Sequence, residues 1–375
     1  MIEWPRRLAL VVWVLILAGV FGRVAAARIG AQSVVPIYAM AGERWWNGEP
    51  LYAAPPPGLD VYRNPPGFAA LFAALAQLPP RFVAIAWRAV GIGLFALGLR
   101  RFLAAVNPVS LAPRAGATVW IVAALFALPA LNNGQVNLFV VAAALLGTAA
   151  AARGMWWQAS AWVMLAAWLK VYPIALAGLF AILAPRRFLG RSIIVGAALV
   201  ALPFAFRNPE YVAEQHGAFW EATRADERGE APLERTMKGW TYLVRIGTGH
   251  GVSPGALQVV AAFAGLMLAG VIGLAVLRNG SPPALFGLAL GSALLWMVIF
   301  GPATETNTYS ILAPLGWLAV LNGPPRGNRV PAWCGIALVL AGDIAGLAAL
   351  QPLGAMLLFA ASVRAVLALR PEPST

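Results

Sequence analysis

The sequence predicts an all-α protein that crosses a membrane many times. Its 375 residues are 61% hydrophobic and only 11% charged, and the mean hydropathy is +0.75. Soluble domains carry about a quarter charged residues. Apolar stretches long enough to span a bilayer, about 20 residues, recur along the whole chain. This composition excludes a soluble enzyme, a disordered chain, a disulfide scaffold and a coiled coil.

The net charge of +13 does not indicate nucleic-acid binding. The basic residues lie mostly at the ends of apolar runs, as they do in the cytoplasmic loops of membrane proteins. The single cysteine, Cys334, lies in an apolar run, and His216 and His250 are isolated. These residues predict neither a disulfide nor a metal site.

We expect a single integral membrane domain over residues 1–375, with about ten to twelve transmembrane helices and external interfacial helices. The first apolar run follows Arg6 and Arg7 and resembles a signal peptide. Because the rest of the chain is equally apolar, we expect this run to be a retained span. The charge distribution puts both termini in the cytoplasm. The expected full spans are Leu8–Ala27, Phe82–Leu99, Val119–Leu131, Val136–Ala152, Ile193–Phe206, Leu257–Leu277, Pro283–Phe300, Tyr309–Val320, Val330–Leu347 and Leu353–Leu369.

Two external segments and one dipping segment interrupt this series. Residues 28–65 are expected to form an external loop with a short interfacial helix over 38–47, in which Trp45 and Trp46 lie at the membrane surface. Residues 66–78 are too short to span and end in two prolines, so we expect a half-helix that enters from outside. Residues 207–248 are expected to form a second external loop with helical pieces.

Residues 156–185 are expected to form a broken helical hairpin. They lie between Arg153 and Arg186, which both mark the cytoplasmic side, so an even number of crossings must fit. Thirty residues cannot make two full spans, whereas two short helices meeting at residues 170–173 can, because Pro173 lacks an amide donor. Such a break is tolerated only where it lines protein or a wet cavity.

Two cations at predicted membrane depth are candidates for binding a lipid phosphate. Lys170, one of two lysines in the chain, follows directly on the first half of the hairpin. A lysine at the bilayer centre costs about 2.5–3.5 kcal/mol on insertion scales. It either binds a phosphate or extends its amine to the interface. Arg88 either shares the phosphate or forms an ion pair within the bundle.

Two carboxylates of the first loop are candidates for a general base. Asp60 is placed at the mouth of the dipping helix and either acts as the base or neutralises Arg63. Glu43 is its competitor on the interfacial helix, where the alternative is a solvated helix face.

Amides and a late carboxylate are candidates for contacting sugar hydroxyls. Gln135 and Asn137 either bind hydroxyls or hydrogen-bond between helices. Glu305 either binds substrate or caps the helix that follows it. Tyr172, beside Lys170, is a further candidate for contacting the sugar or the acceptor.

The order of several motifs resembles glycosyltransferase family 87. The first-loop run Asp60-Val-Tyr-Arg-Asn-Pro-Pro66 after Tyr52 resembles the signature of that family, as do Asn133-Gly-Gln-Val-Asn137 and Leu169-Lys-Val-Tyr-Pro173. One bacterial branch is similar at two further motifs, Tyr211-Val-Ala-Glu-Gln215 and Gly301-Pro-Ala-Thr-Glu305.

The resemblance implies a GT-C fold in the bacterial cytoplasmic membrane, with the active site on the external face. Such enzymes move a sugar from a polyprenyl phosphate to a lipid or glycan acceptor, and known members of the family transfer mannose or arabinofuranose. The polyprenyl-phosphate sugar would be the co-substrate, with no other cofactor. The expected partners are therefore the lipid-linked donor, the acceptor and membrane lipids, and not nucleic acid.

The resemblance also implies roles for the candidate residues, with one departure. A first-loop acid is usually the base, and many relatives carry an Asp-Phe pair just after the first span. The stretch Gln32–Tyr38 has no acid, so Asp60 is the nearest substitute, followed by Glu43, unless this branch uses another base or has lost activity. The expected phosphate ligands are Lys170, Arg88 and Arg63. A transporter or flippase of a lipid-linked sugar is the alternative function, because broken helices also suit transporters, and a non-catalytic membrane scaffold is the third.

Overall fold

A computed structural model describes residues 4–26, 33–106, 113–225, 232–233, 236–301, 304–320 and 329–369. Within these ranges the regular structure is entirely helical, which confirms the predicted all-α class. The α-helices are α1 Trp4–Ala26, α2 Val35–Asn47, α3 Pro66–Leu75, α4 Pro80–Val106, α5 Pro113–Asn133, α6 Asn137–Ala152, α7 Trp156–Leu169, α8 Ile174–Leu183, α9 Pro185–Ala201, α10 Pro209–Arg224, α11 Trp240–Thr248, α12 Pro254–Asn279, α13 Pro283–Phe300, α14 Gly316–Val320, α15 Arg329–Ile344 and α16 Leu350–Leu367. Two 3₁₀ helices, η1 Leu202–Ala205 and η2 Thr306–Leu315, complete the list.

Seven helical segments of the described chain are long and apolar enough to cross a membrane. They are α1, α4, α5, α9 with η1, α12, α13 and α16. The chain is therefore a multi-pass membrane protein, as predicted. The remaining apolar helices are shorter than a full span, since α6 and α15 have 16 residues each.

The segment predicted as a regular span over residues 309–320 has a different form. It begins as the 3₁₀ helix η2, which contains Pro314, and continues as the five-residue α14. Proline cannot donate the hydrogen bond that an α-helix needs at that position. A 3₁₀ helix rises about 2.0 Å per residue, so η2 and α14 together cover about 28 Å, close to the thickness of the hydrocarbon core.

The broken hairpin is present as predicted. Helices α7 and α8 flank residues 170–173, and Lys170 has an extended backbone with φ of −149° and ψ of 135°. The break leaves the carbonyl of Leu169 without a helical partner, and Asn64 Nδ2 donates to it at 3.2 Å. The side chain that satisfies the break therefore comes from the first loop.

The helix turns gather at two opposite ends of the bundle. At one end Asn279 Nδ2 donates to the carbonyl of Leu369, and Ser281 Oγ donates to that of Leu183. At the other end the last turn of α1 meets the end of α5, where Arg23 donates to the carbonyl of Asn132 at 2.7 Å. The hairpin break and helix α2 lie at this second end, which we call the polar end.

Helix α2 lies at the polar end and is more deeply packed than predicted. The prediction that Trp45 lies at the membrane surface is wrong, because Trp45 is 3% exposed and its ring packs edge-on against Tyr211 of α10, with 5.6 Å between centroids. Trp46 is exposed. A Cβ at Gly42 would lie 2.8 Å from the Phe72 backbone, so this glycine allows α2 and α3 to pack in close contact.

The turn between α5 and α6 depends on Gly134. Its φ of +77° lies in the left-handed region, which favours glycine. A Cβ at this position would lie 2.9 Å from Arg88 Nη2 and 2.8 Å from Val35 Cγ2. The turn can therefore approach α2 and α4 only without a side chain.

We predict that Gly134→Ala destabilises the protein more than Gly48→Ala. Both glycines have φ near +75°, so both substitutions carry about 1–2 kcal/mol of backbone strain. A Cβ at Gly48 meets no atom within 4 Å, whereas overpacking at Gly134 adds about 1–3 kcal/mol. Thermal unfolding in detergent measures the difference. Equal melting temperatures for the two variants would contradict the close approach.

Candidate active site

A cavity of about 470 Å³ lies at the polar end, between α2, the first loop, the hairpin break and α10. It brings together most of the residues that the sequence marked as candidates, although they are up to 245 positions apart along the chain. The candidates that line it are Asp60, Arg63, Gln135, Lys170, Tyr172 and Glu305. Among the described residues, two cations and two carboxylates line this cavity, so this part of its lining is formally neutral.

A hydrogen-bonded chain centred on Asn137 joins the hairpin break to the other polar segments. Lys170 Nζ donates to Asn137 Oδ1 at 2.9 Å, and the hydroxyl of Tyr172 donates to the same oxygen at 3.3 Å. The amide nitrogen of Asn137 donates to Gln135 Oε1 at 2.6 Å and to the carbonyl of Asn307 at 3.1 Å. Asn137 is fully buried and lies beneath the cavity, so it positions Lys170 and Gln135.

Glu305 extends this series of hydrogen bonds beyond Gln135. Gln135 Nε2 lies 3.4 Å from Glu305 Oε2. Glu305 also caps η2, because its side chain and Thr308 exchange hydrogen bonds with each other's backbone amides. The capping interpretation is therefore confirmed. Substrate binding stays a prediction for this carboxylate, which also lines the cavity.

The first loop is fixed against the hairpin break by packing as well as by hydrogen bonding. Besides the bond from Asn64 to Leu169, the indole ring of Trp168 packs so closely on Gly67 that a Cβ there would overlap it. The hydroxyls of Tyr52 and Tyr62 donate to the carbonyls of Asn64 and Pro65. The run from Asp60 to Pro66 is therefore held next to Lys170.

Asp60 lies on the cavity wall as one half of an ion pair. Arg63 Nη1 donates to Asp60 Oδ2 at 2.7 Å, and the Asp60 side chain is 63% exposed. The backbone amide of Val61 donates to the other oxygen. The carboxylate is thus oriented by the Arg63 guanidinium and the Val61 amide, and it remains accessible.

Tyr38 of α2 lines the same cavity, and its hydroxyl accepts a hydrogen bond from the amide of Val136 at 3.3 Å. Burial raises the pKa of Tyr38 far above the ordinary value for tyrosine. The hydroxyl therefore stays protonated at neutral pH. It can contact a substrate as a neutral group, but it cannot serve as a base.

The residues of α10 form a wall of the cavity that the sequence did not reveal. Phe219, Trp220 and Thr223 line it, and none of the three was a candidate from the sequence. The motif Tyr211–Gln215 docks the helix, because Tyr211 donates to the carbonyl of Glu49 and Gln215 Oε1 accepts from the amide of Leu51. The Tyr211–Gln215 motif was the only signal in the sequence that pointed to this helix.

Glu43 and Arg88 lie at a second cavity of about 310 Å³. It occupies the other face of α2, and none of its lining residues lines the first cavity. Arg88 is 3% exposed and donates to the carbonyls of Ala84, Leu131 and Asn132 and to the hydroxyl of Ser33. The structure therefore separates these two candidates from Lys170 and Asp60.

Comparison with known proteins decides the family. The sequence matches glycosyltransferase family 87 over residues 62–302, about two thirds of the chain. The chain belongs to glycosyltransferase family 87. No curated protein matches it significantly.

Two solved structures are similar to this family member, both of ArnT from Cupriavidus metallidurans. The crystal structure bound to undecaprenyl phosphate has 16% sequence identity and a TM-score of 0.42, and the apo structure has 14% identity and a TM-score of 0.46. Each match covers 96% of this chain and 76% of the ArnT chain.

Within the described part of this glycosyltransferase, no group of three His, Cys, Asp or Glu residues is arranged to hold a metal ion. The expectation that a lipid-linked sugar is the only co-substrate stays a prediction.

We predict that Asn137→Ala lowers stability more than Thr148→Ala. Both side chains are fully buried on α6, but among the described residues the hydroxyl of Thr148 bonds only within its own helix, to the carbonyl of Ala144. Loss of Asn137 removes hydrogen bonds to four partners, one of them a cation, at a cost of about 2–4 kcal/mol. Thermal unfolding in detergent measures both variants, and an equal effect would contradict the central role of Asn137.

Proposed function

We propose that this chain transfers a sugar from a polyprenyl phosphate to a lipid or glycan acceptor at the polar end of the bundle. Family membership supports a membrane glycosyltransferase. The observation that carries the finer proposal is the shared cavity, in which Lys170, Arg63, Asp60 and Glu305 surround one space. A phosphate leaving group needs cations, and an acceptor hydroxyl needs a base.

In the proposed reaction, Asp60 takes the proton of the acceptor hydroxyl as its oxygen attacks the anomeric carbon. The bond between that carbon and the phosphate oxygen breaks, and the polyprenyl phosphate leaves with the bonding pair. Phosphate is a weak base, so the leaving group needs no strong acid. Lys170 and Arg63 stabilise the negative charge that develops on it.

The remaining polar groups would orient the sugar. Gln135 and Glu305 already form a donor–acceptor pair at the cavity surface, and sugar hydroxyls can insert into such a pair as both donors and acceptors. Tyr172 and Tyr38 add two neutral hydroxyls. Asn137 acts through Lys170 and Gln135 as a positioning residue.

The apolar part of the lining suits a prenyl chain. Ile174 and Ala175 of α8, Trp296 of α13 and the α10 aromatics Phe219 and Trp220 face the cavity. A polyprenyl tail could leave between α8 and α13, toward the lipid, while its phosphate stays near Lys170. A mannose-like or arabinofuranose-like donor is proposed from the family resemblance.

We predict that Asp60→Asn lowers turnover by about 10²–10⁴-fold, the usual contribution of a general base. The assay is release of polyprenyl phosphate in detergent, from polyprenyl-phosphate mannose or arabinofuranose, with an octyl glycoside as acceptor. Glu214→Gln, an exposed carboxylate on α10 that lines neither cavity, serves as the control. Normal turnover of Asp60→Asn would exclude Asp60 as the base. Movement of the donor across the membrane of vesicles that contain the protein, without cleavage, would instead favour a transporter.

We predict that Lys170→Gln lowers kcat by about 10²–10³-fold, as loss of one preorganised charge-stabilising donor does. It should also weaken binding of polyprenyl phosphate, and Lys170→Arg should restore part of both. Arg224→Gln, an exposed cation at the end of α10, is the matched control. Unchanged kcat and unchanged binding in Lys170→Gln would contradict the phosphate assignment.

A further inference from the structure

The second cavity differs from the first in its charge. Arg23, Arg81 and Arg88 line it together with one carboxylate, Glu43. Among the described residues, three guanidinium groups against one carboxylate leave a formal charge of +2. By the same count the first cavity, with two cations and two carboxylates, is formally neutral.

Two of these arginines are brought together on one backbone carbonyl oxygen. Arg23 Nη2 and Arg88 Nη2 both donate to the carbonyl oxygen of Asn132, at 2.7 Å and 3.0 Å. This oxygen lies at the end of α5, whose helix dipole supplies about half a negative charge. Within the described ranges neither arginine forms an ion pair with a carboxylate. The dipole therefore offsets only part of the positive charge.

Some donors of the lining arginines are satisfied by no group of the described chain. Arg23 Nε is buried without a hydrogen-bond partner among the described residues, and leaving such a donor unpaired costs about 1–3 kcal/mol. Arg81, at the start of α4, is exposed and makes no hydrogen bond or ion pair within the described chain. Glu43 makes none there either. An anion in the cavity would accept hydrogen bonds from Arg81 and offset the positive charge of Arg23.

The depth of the cavity matches that of a lipid head group. Arg23 lies in the last turn of α1 and Arg81 in the first turn of α4, and both helices are candidate membrane spans. The ends of spans lie near the polar surface of the bilayer. The rest of the lining is mostly apolar, with Val24, Leu78 and Val83 among it.

We propose that this cavity binds the phosphate group of a second ligand, a phosphate-bearing lipid. The role of this lipid as the sugar acceptor rests on the proposed function, whereas the existence of the anion site does not. The first loop runs between the two cavities, because Leu59 lines the second while Asp60, the next residue, lines the first. A hydroxyl attached to a lipid held by the arginines could therefore reach the base across a boundary that is one residue wide.

Binding of defined probes to the whole chain in detergent tests the site without any turnover. The lipid probe is phosphatidic acid, with phosphatidylcholine as the comparison, and inorganic phosphate is the free anion. We expect Arg81→Gln to weaken binding of phosphatidic acid about fivefold, the value of one cation near a lipid phosphate. Glu43→Gln should strengthen it by a similar factor. The control Arg101→Gln removes an exposed arginine at the opposite end of α4 and should change nothing.

Different outcomes separate this proposal from the proposed function. Binding of phosphatidic acid that falls in Arg81→Gln but not in Lys170→Gln supports a separate lipid site. Binding of inorganic phosphate with the same dependence on Arg81 and no preference for the lipid supports a phosphate site for a free anion. Equal binding of phosphatidic acid by wild type and Arg81→Gln would overturn the proposal. So would binding of polyprenyl phosphate that depends on Arg81 and not on Lys170.

Discussion

The hydrogen bond from Lys170 to Asn137 is the contact on which the polar end of this membrane protein depends. A cation next to the hydrocarbon core is stable only when a polar partner or water surrounds it. Asn137 supplies that partner from the buried start of α6, 2.9 Å away. Its amide also fixes Gln135 and the start of η2. One buried amide thereby connects the hairpin, the α5–α6 turn and the last polar segment.

The break in the hairpin creates a second requirement, and the first loop meets it. Interrupting a helix at this depth leaves backbone groups that lipid cannot satisfy. Asn64 hydrogen-bonds the exposed carbonyl of Leu169, and Gly67 packs against Trp168. The contacts that stabilise the break therefore also hold Asp60 beside Lys170. Fold stability and the arrangement of the site share the same residues.

Much of this arrangement could be predicted from the sequence, because lipid makes polar residues conspicuous. Lys170 and Pro173 in an apolar run predicted the break, and the scarce carboxylates marked the cavity. Trp45 was misplaced, since only the packing of α10 on α2 buries it. Trp296 lies in an apolar run and gave no signal. Arg23 and Arg81 were overlooked. Both lie at span ends that were predicted to be external, where the positive-inside rule makes arginine unusual.

The two cavities on either side of α2 divide the positive charge of the polar end between a neutral, hydroxyl-rich site and a strongly cationic one. The decisive experiment is a structure determined with a bound, non-cleavable polyprenyl-phosphate sugar. We expect the phosphate within hydrogen-bond distance of Lys170 Nζ, with the anomeric carbon facing Asp60. A phosphate bound between Arg23 and Arg81, with Lys170 still bonded only to protein, would contradict it.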